Sequence, residues 1–264
     1  MRDLFRAVLN YRLFILSSIK NDLRVRFIRS KLGTLWIVIH PLMQVMIFAL
    51  ILSEVLSAKL PGIDNKYAYA LYLMAGTVCW TLFSETISKC LTLFIDNGNL
   101  MKKMAFPRIC LPLIAAGTML VNNVLLLAAV FVVFAVLGHF PGAQIVWLPV
   151  LMVITMMLAM GIGLLLGTMN VFMRDIGQIV PVILQALFWL TPVVYQIGIL
   201  PQGLQHWFKF NPLYPLVSSY QNVLVFEKPP LWGDLAMLVV ASVLILFFAL
   251  VVFRRASPEM VDAL

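Results

Sequence analysis

The chain contains long apolar runs, each about the length that a helix needs to cross a lipid bilayer. Roughly 20 predominantly apolar residues are required, because each helical residue advances about 1.5 Å through ~30 Å of hydrocarbon. The runs are continuous and lack the alternation of a lipid-facing strand, which favours helices over a β-barrel. We therefore predict an all-α membrane protein with six transmembrane helices. These spans are Leu35–Leu56, Tyr69–Leu93, Ile109–Leu137, Ile145–Phe172, Ile176–Ile199 and Leu231–Phe253.

Composition excludes a water-soluble globule. Hydrophobic residues make up 62% of the 264 positions and charged residues 11%, with a mean hydropathy of +1.00. So few polar groups cannot cover the apolar mass of the chain in water.

The basic residues predict the orientation in the membrane. Fifteen of the 19 Lys and Arg residues fall on one predicted face and four on the other. Since Lys and Arg concentrate in cytoplasmic segments, we expect a multi-pass inner-membrane protein with both termini in the cytoplasm. The net charge of +8 then reflects topology and contact with anionic membrane lipids, and no nucleic-acid partner is expected.

The N-terminal arm, residues 1–32, carries an amphipathic pattern between positions 16 and 31. Its apolar members recur along one side of a helix, and its basic members run along the edge of that side. The apolar members are Leu16, Ile19, Leu23 and Phe27, and the basic members are Lys20, Arg24 and Lys31. The pattern predicts a helix lying in the membrane interface, followed by the domain of residues 33–264. The alternative is a basic segment that only directs topology.

The second connection, residues 96–108, predicts a short cytoplasmic helix between two helix breakers. It opens with the turn residues Asn97 and Gly98, continues with mixed apolar and basic residues, and reaches Pro107. A groove on a partner protein can receive such a helix. The alternative is a solvated, positively charged loop.

The segment after the fourth predicted span is rich in proline. Arg174 and Asp175 form a short turn, so the fourth and fifth spans are predicted to be an adjacent hairpin, and Pro181 and Pro192 interrupt the fifth span. Residues 200–225 are too polar to span the membrane and too apolar for a free loop. We predict short re-entrant helices on the outer face, with aromatic residues at the interface.

One pair of charges lies inside a predicted span. Glu85 and Lys89 are four residues apart on one helix face, and an unpaired charge in a bilayer is costly. We predict an intramembrane ion pair, or a position near the cytoplasmic boundary if the second span ends earlier.

Signatures of an enzyme are missing from the sequence. The three histidines fall in separate segments without metal-ligand spacing, and no catalytic residue or metal site is predicted. The three cysteines have no CxxC spacing and are predicted to be structural thiols. The chain has no G-x-x-x-x-G-K-[ST] loop for ATP phosphates. A membrane-embedded transferase is therefore a weaker alternative. A secondary transporter is another, because such proteins usually carry more than six spans and an inverted repeat with intramembrane ion ligands, and neither is evident here.

Several motifs in fixed order resemble the permeases of type-2 ABC polysaccharide exporters. They are RSKLGTLW at 29–36, FPR at 106–108, RDIGQIVP at 174–181, TPVVY at 191–195 and NPLYP at 211–215. The resemblance covers nearly the whole chain and is strongest to the O-antigen type, which is related to capsule and teichoic acid exporters.

The resemblance implies the transmembrane subunit of an ATP-driven exporter. Two copies of the chain would form a channel, and lipid-linked polysaccharide would pass from cytoplasm to periplasm. Two copies of a separate nucleotide-binding subunit would bind ATP and Mg, so no cofactor is expected on this chain. A type-2 ABC exporter of a small drug or lipid is the nearest alternative.

The resemblance also implies roles for particular residues. The helix of residues 16–31 and the loop of residues 97–108 would contact the ATPase. The loop residues are Asn97, Leu100, Met101, Lys102, Lys103, Phe106, Pro107 and Arg108. Aromatic rings pack on the C–H faces of sugars while hydroxyl groups stay hydrated, and ordinary lipid-facing or core packing is the alternative for each ring. The candidate channel residues are Trp36, Trp80, Phe83, Trp189 and Tyr195.

Overall fold

The computed structural model describes residues 11–28, 68–103, 107–199 and 211–263, with isolated positions between 35 and 47 and between 201 and 208. Every regular element in these residues is helical, which confirms the all-α prediction. The α-helices are α1 (Arg12–Ile28), α2 (Ala68–Asp96), α3 (Gly98–Lys103), α4 (Cys110–Val136), α5 (Leu148–Phe172), α6 (Ile176–Leu190), α7 (Leu213–Gln221) and α8 (Trp232–Ala263). A 3-10 turn precedes α5 at Ala143–Trp147, another follows α6 at Ile197–Ile199, and a π-helix, Asn222–Phe226, continues α7.

Within the described ranges, four helical segments are long and apolar enough to cross a membrane. They are α2, α4, α5 with its preceding 3-10 turn, and the part of α8 from Trp232 to Met260. They coincide with the predicted second, third, fourth and last spans to within a few residues, although α8 continues past Phe253 to Ala263. The first predicted span, Leu35–Leu56, lies mostly outside the described residues.

The fifth predicted span, Ile176–Ile199, is interrupted at Thr191, next to Pro192, one of the two prolines that were predicted to interrupt it. Helix α6 ends at Leu190 after 15 residues, a length of about 22 Å that is short of the hydrocarbon thickness. Thr191 is extended, with φ −109° and ψ 135°, because Pro192 disfavours the helical conformation in the residue before it. Pro181, by contrast, is accommodated inside α6.

Helix α5 lies between α2 and α8 and packs closely against both through glycines. A Cβ atom on Gly163 would lie 2.8 Å from the Cβ of Cys90 in α2, and a Cβ on Gly161 would lie 2.9 Å from Ile245 in α8. One turn beyond Gly163, a Cβ on Gly167 would overlap the backbone carbonyl of Cys90. This Gly-x-x-x-Gly spacing lets two helices approach closely in a membrane protein. The side-chain amide of Asn170 completes the contact by donating to the carbonyl of Leu91 at 2.8 Å.

All three cysteines are buried and free. Cys79 and Cys90 lie in α2, and Cys110 begins α4. Their placement in helix packing agrees with the prediction of structural thiols.

Candidate functional site

An open groove of about 430 Å³ runs between α2 and α6, and we call it the α2–α6 groove. Helix α2 presents one residue per turn to it, at positions 80, 84 and 88, because residues four apart share a helix face. The lining residues are Trp80, Ser84, Ser88, Pro181, Leu184, Gln185, Phe188 and Trp189. The groove thus combines aromatic surface with hydroxyl and amide groups.

Two of the predicted channel aromatics, Trp80 and Trp189, lie in this groove and are linked by Phe188. The ring centroids of Trp80 and Phe188 are 5.3 Å apart, and those of Phe188 and Trp189 are 5.6 Å apart, both in edge-on geometry. The side chain of Trp189 is 53% exposed. A large aromatic area is therefore open to a ligand or to lipid.

The other three predicted channel residues lie elsewhere. Phe83 is only 2% exposed and packs beneath Trp80, with ring centroids 6.0 Å apart. The hydroxyl of Tyr195 donates to the carbonyl of Trp189 at 2.7 Å, which ties the turn after α6 to the end of that helix. Trp36 occupies a helical position and is 52% exposed.

Sequence reasoning missed six contributors to the groove: Ser84, Ser88, Pro181, Leu184, Gln185 and Phe188. The spacing of Trp80, Ser84 and Ser88 was a usable signal, since it places one aromatic and two hydroxyl groups on a single face of an apolar helix. The matching face of α6 could not be chosen from the sequence because the register between the two helices is a tertiary property.

The short helix predicted in the second connection is present as α3. The side-chain amide of Asn97 donates to the carbonyl of Leu93 at 2.8 Å at its start. Lys102 is exposed. Phe106 and the side chain of Lys103 fall outside the described residues.

Met101 and Leu100 do not both point outward as the idea of a partner groove required. Met101 is 5% exposed and belongs to an apolar cluster with Phe94, Phe253 and Met260, against which Leu100 is partly buried. The apolar side of α3 therefore packs inside this chain, while Lys102 is exposed.

Arg108 fastens this connection to the end of α8. Its guanidinium donates to the backbone carbonyl and to the hydroxyl of Ser257, the latter at 3.0 Å. Pro107, just before it, is half-buried. The contribution of α8 was missed, although Phe253 and Met260 are seven residues apart and share one helix face.

The helix predicted between positions 16 and 31 is present as α1, and its contact with α4 includes Ile15, a residue outside the predicted apolar set. Ile15 is 9% exposed and packs with Cys110 and Ile114 of α4, whereas Leu16 is 62% exposed. Ile19 also packs there, and a Cβ on Gly117 of α4 would collide with it. The physical reason is that α4 selects the face it contacts, which the apolar pattern alone does not define.

The structure describes some of the other residues in the predicted amphipathic pattern of the N-terminal arm. Lys20 and Arg24 are exposed, and Leu23 is half-buried. Lys31 and the side chain of Phe27 lie outside the described residues. The location of α1 at the membrane surface stays a prediction.

Lys89 forms an ion pair with Asp22 of α1 at 3.5 Å. The prediction paired Lys89 with Glu85, one turn earlier on the same helix; the structure instead gives Lys89 a partner on a different helix. The two side chains are 33% and 41% exposed, which places the pair at the edge of the bundle. It links α1 to α2, a contact that no pattern within α2 could reveal.

Bilayer-length helices and a lateral groove are typical of a multi-pass helical membrane protein. The end of the bundle that carries α3 also carries Lys102, Arg108, Arg254 and Arg255, and we call it the basic end. A model of the family described as "ABC-2 type transporter" matches residues 15–225, and the chain therefore belongs to that family. This confirms the resemblance seen in the sequence motifs.

Relatives with assigned names extend this similarity over the whole chain. The O-antigen export system permease protein RfbA of Myxococcus xanthus is 26% identical and covers 100% of both chains. The protein of the same name in Klebsiella pneumoniae is 28% identical over 81% of this chain and 82% of the relative. The polysialic acid transport protein KpsM of Escherichia coli is 20% identical over 92% of this chain and 93% of the relative.

Proposed function

We propose that this chain is the transmembrane subunit of an ATP-driven exporter that moves lipid-linked polysaccharide of the O-antigen type across the inner membrane. The observation that carries the proposal is the similarity to an O-antigen export permease along 100% of both chains. In the proposed arrangement six spans place both termini in the cytoplasm, and two copies of the chain enclose the path of the polymer. ATP and Mg bind to a separate nucleotide-binding subunit, two copies of which dock on the basic end.

The α2–α6 groove supports a role in polymer passage. A sliding polymer requires many weak contacts instead of one tight site. Trp80 and Trp189 supply apolar ring surface, and the neighbouring serine and glutamine side chains supply hydrogen-bonding groups. Such a lining matches the alternating C–H faces and hydroxyl groups of a pyranose chain.

The groove is open along its side, which supports a second copy of the chain as its other wall. Large apolar residues on the outer side of α6, including Val182 and Ile183, are 66% and 55% exposed. Lipid or a second subunit covers such residues in a membrane, and closed two-fold dimers are the commonest homo-oligomers.

Replacing Trp80 or Trp189 with alanine should lower the export rate by about two- to ten-fold, because one aromatic contact contributes ~0.5–1.5 kcal/mol. The matched control is Trp232→Ala. Trp232 is 40% exposed and packs edge-on against Trp147 at 4.9 Å, away from the groove. The measurement is the rate at which labelled polysaccharide reaches the cell surface, with permease abundance recorded in parallel. Equal rates in all three variants and wild type would assign the groove tryptophans to lipid-facing packing.

The proposed function is tested by deleting the gene and assaying surface polysaccharide together with cytoplasmic lipid-linked polymer. Loss of polymer at the surface with accumulation inside the cell is the expected result. Loss of both pools would indicate a transferase that makes the polymer. Normal surface polymer would contradict the proposal and favour an exporter of a small drug or lipid.

A further inference from the structure

A second depression, distinct from the α2–α6 groove, lies at the opposite end of the bundle from α3. It has a volume of about 300 Å³ and is formed by α2, the turn after α6, α7, the π-helix and Leu231. We call it the outer pocket, since the predicted topology places this end outside the cytoplasm. Its volume is at the lower end of the range of small-ligand sites in proteins.

The lining of the outer pocket is aromatic and polar but uncharged. Tyr72, Tyr214 and Phe226 supply rings, while Gln196, Ser218 and Asn222 supply amide and hydroxyl groups. Among the described residues that line it, none is acidic, basic or histidine. Beside this lining, the Lys228 ammonium lies 5.9 Å from the centroid of the Phe226 ring. The lining itself favours a ligand with both C–H and hydroxyl surfaces.

The floor of the outer pocket is held in place by buried hydrogen bonds. The hydroxyl of Tyr72 donates to the carbonyl of Tyr195 at 3.0 Å, and the side-chain amide of Gln221 donates to the carbonyl of Pro192 at 3.3 Å. Tyr72 is 4% exposed and Gln221 is 2% exposed. Gly76 permits this approach, because a Cβ there would lie 2.9 Å from the Gln221 amide nitrogen. A fixed floor reduces the ordering cost of binding a ligand.

One wall of the outer pocket is built from an uncommon element. Asn222–Phe226 form a π-helix, a conformation that is rare and frequently occurs at functional sites. It ends at Glu227, whose φ of 52° is left-handed, and the backbone N–H of Lys228 donates to the carbonyl of Asn222 at 3.0 Å. The π-helix brings Asn222 and Phe226 to the same side as Tyr214 and Ser218 of α7.

The geometry points to the outer pocket as a binding site for one or two sugar units of the exported chain. This inference rests on the proposed function and deepens it, by assigning a sugar contact at the outer end that is separate from the α2–α6 groove. Tyr214 and Phe226 pack against sugar C–H faces, and Gln196, Ser218 and Asn222 exchange hydrogen bonds with sugar hydroxyl groups.

The test is saturation-transfer NMR on the full chain in lipid nanodiscs. The probes are neutral oligomers of glucose, of galactose and of mannose, with an oligomer of sialic acid as the acidic comparison. At least one of these oligomers should bind, and binding should weaken about five-fold in Tyr214→Ala and in Gln196→Ala. Phe140→Ala is the matched control, because Phe140 is 71% exposed and is absent from the pocket lining. Thermal melting in nanodiscs shows whether each variant is folded. Gln196→Ala should perturb folding less than Tyr214→Ala, because Gln196 lies in the turn after α6.

The results of this binding test can be distinguished from the results of the gene deletion. No binding by any of these oligomers, or unchanged binding in both pocket variants, would overturn the sugar site. A failed binding test together with lost surface polymer would leave the export function standing. Binding at the pocket with normal surface polymer after deletion would overturn the export function instead.

Discussion

Replacing Gly167 with leucine should remove most of the folded permease from the membrane. A Cβ at this position overlaps the backbone carbonyl of Cys90, and a carbonyl within α2 cannot move aside as a flexible side chain can. The helices α2 and α5 would have to separate, which disrupts the Asn170–Leu91 hydrogen bond. We expect a loss of more than about 3 kcal/mol, above the usual cost of inserting methylene groups into a core.

The control for this substitution is Gly233→Ala. Gly233 lies in the first turn of α8, and nothing lies within 4 Å of a Cβ built on it. Alanine is favoured over glycine in a helix by about 1 kcal/mol, so Gly233→Ala should melt at the wild-type temperature or slightly above. The melting temperatures of the two detergent-solubilised variants, compared with that of the wild type, measure both effects. A wild-type melting temperature for Gly167→Leu would show that α2 and α5 do not pack as described.

Reversing the charges of Lys102 and Lys103 to glutamate should uncouple the permease from its ATPase. Lys102 is exposed on α3, while the apolar side of α3 is held by Met101 in the cluster with Phe94 and Met260. The substitution therefore changes the surface charge and leaves the packing of this end intact. Like charges brought together at an interface cost several kcal/mol, so co-purification of the ATPase subunit should fall by at least about ten-fold.

The matched control is Lys228→Glu, an exposed lysine at the other end of the bundle. It should retain the ATPase subunit, and all variants should accumulate to equal levels in the membrane. The measurement is the amount of co-expressed ATPase recovered with a tagged permease, alongside polysaccharide export. Wild-type recovery and export in the double variant would contradict the assignment of α3 as the ATPase-docking element.

Helix length was the most predictable property of this fold. The spans at α2, α4, α5 and α8 could be located from the sequence because crossing a bilayer imposes a minimum apolar length whatever the neighbouring helices are. The end of α6 was less predictable. Pro181 and Pro192 lie in similar apolar surroundings, yet the helix tolerates the first and ends just before the second.

Contacts between helices could not be predicted from the sequence. Most errors in the candidate site arise because the packing partner of each helix was unknown. The apolar set predicted on α1 did not include Ile15, the residue that α4 packs against. Glu85 was the nearest carboxylate to Lys89 in sequence, but Asp22 of α1 is its partner. Trp80 and Phe83 were equivalent as sequence features, and only the position of α6 places the first at the groove surface and the second beneath it.

Helix α8 is long enough to connect the two ends of the molecule mechanically. It has 32 residues, a length of about 48 Å at the usual rise per residue. Its inner end is fastened by Arg108 to the loop that follows α3, and Leu231, just before its outer end, lines the outer pocket. A helix resists stretching far more than it resists bending, so an axial displacement at Ser257 reaches Leu231 with little loss. Helix α8 is thus a stiff connection between the end of the chain that carries α3 and the outer pocket.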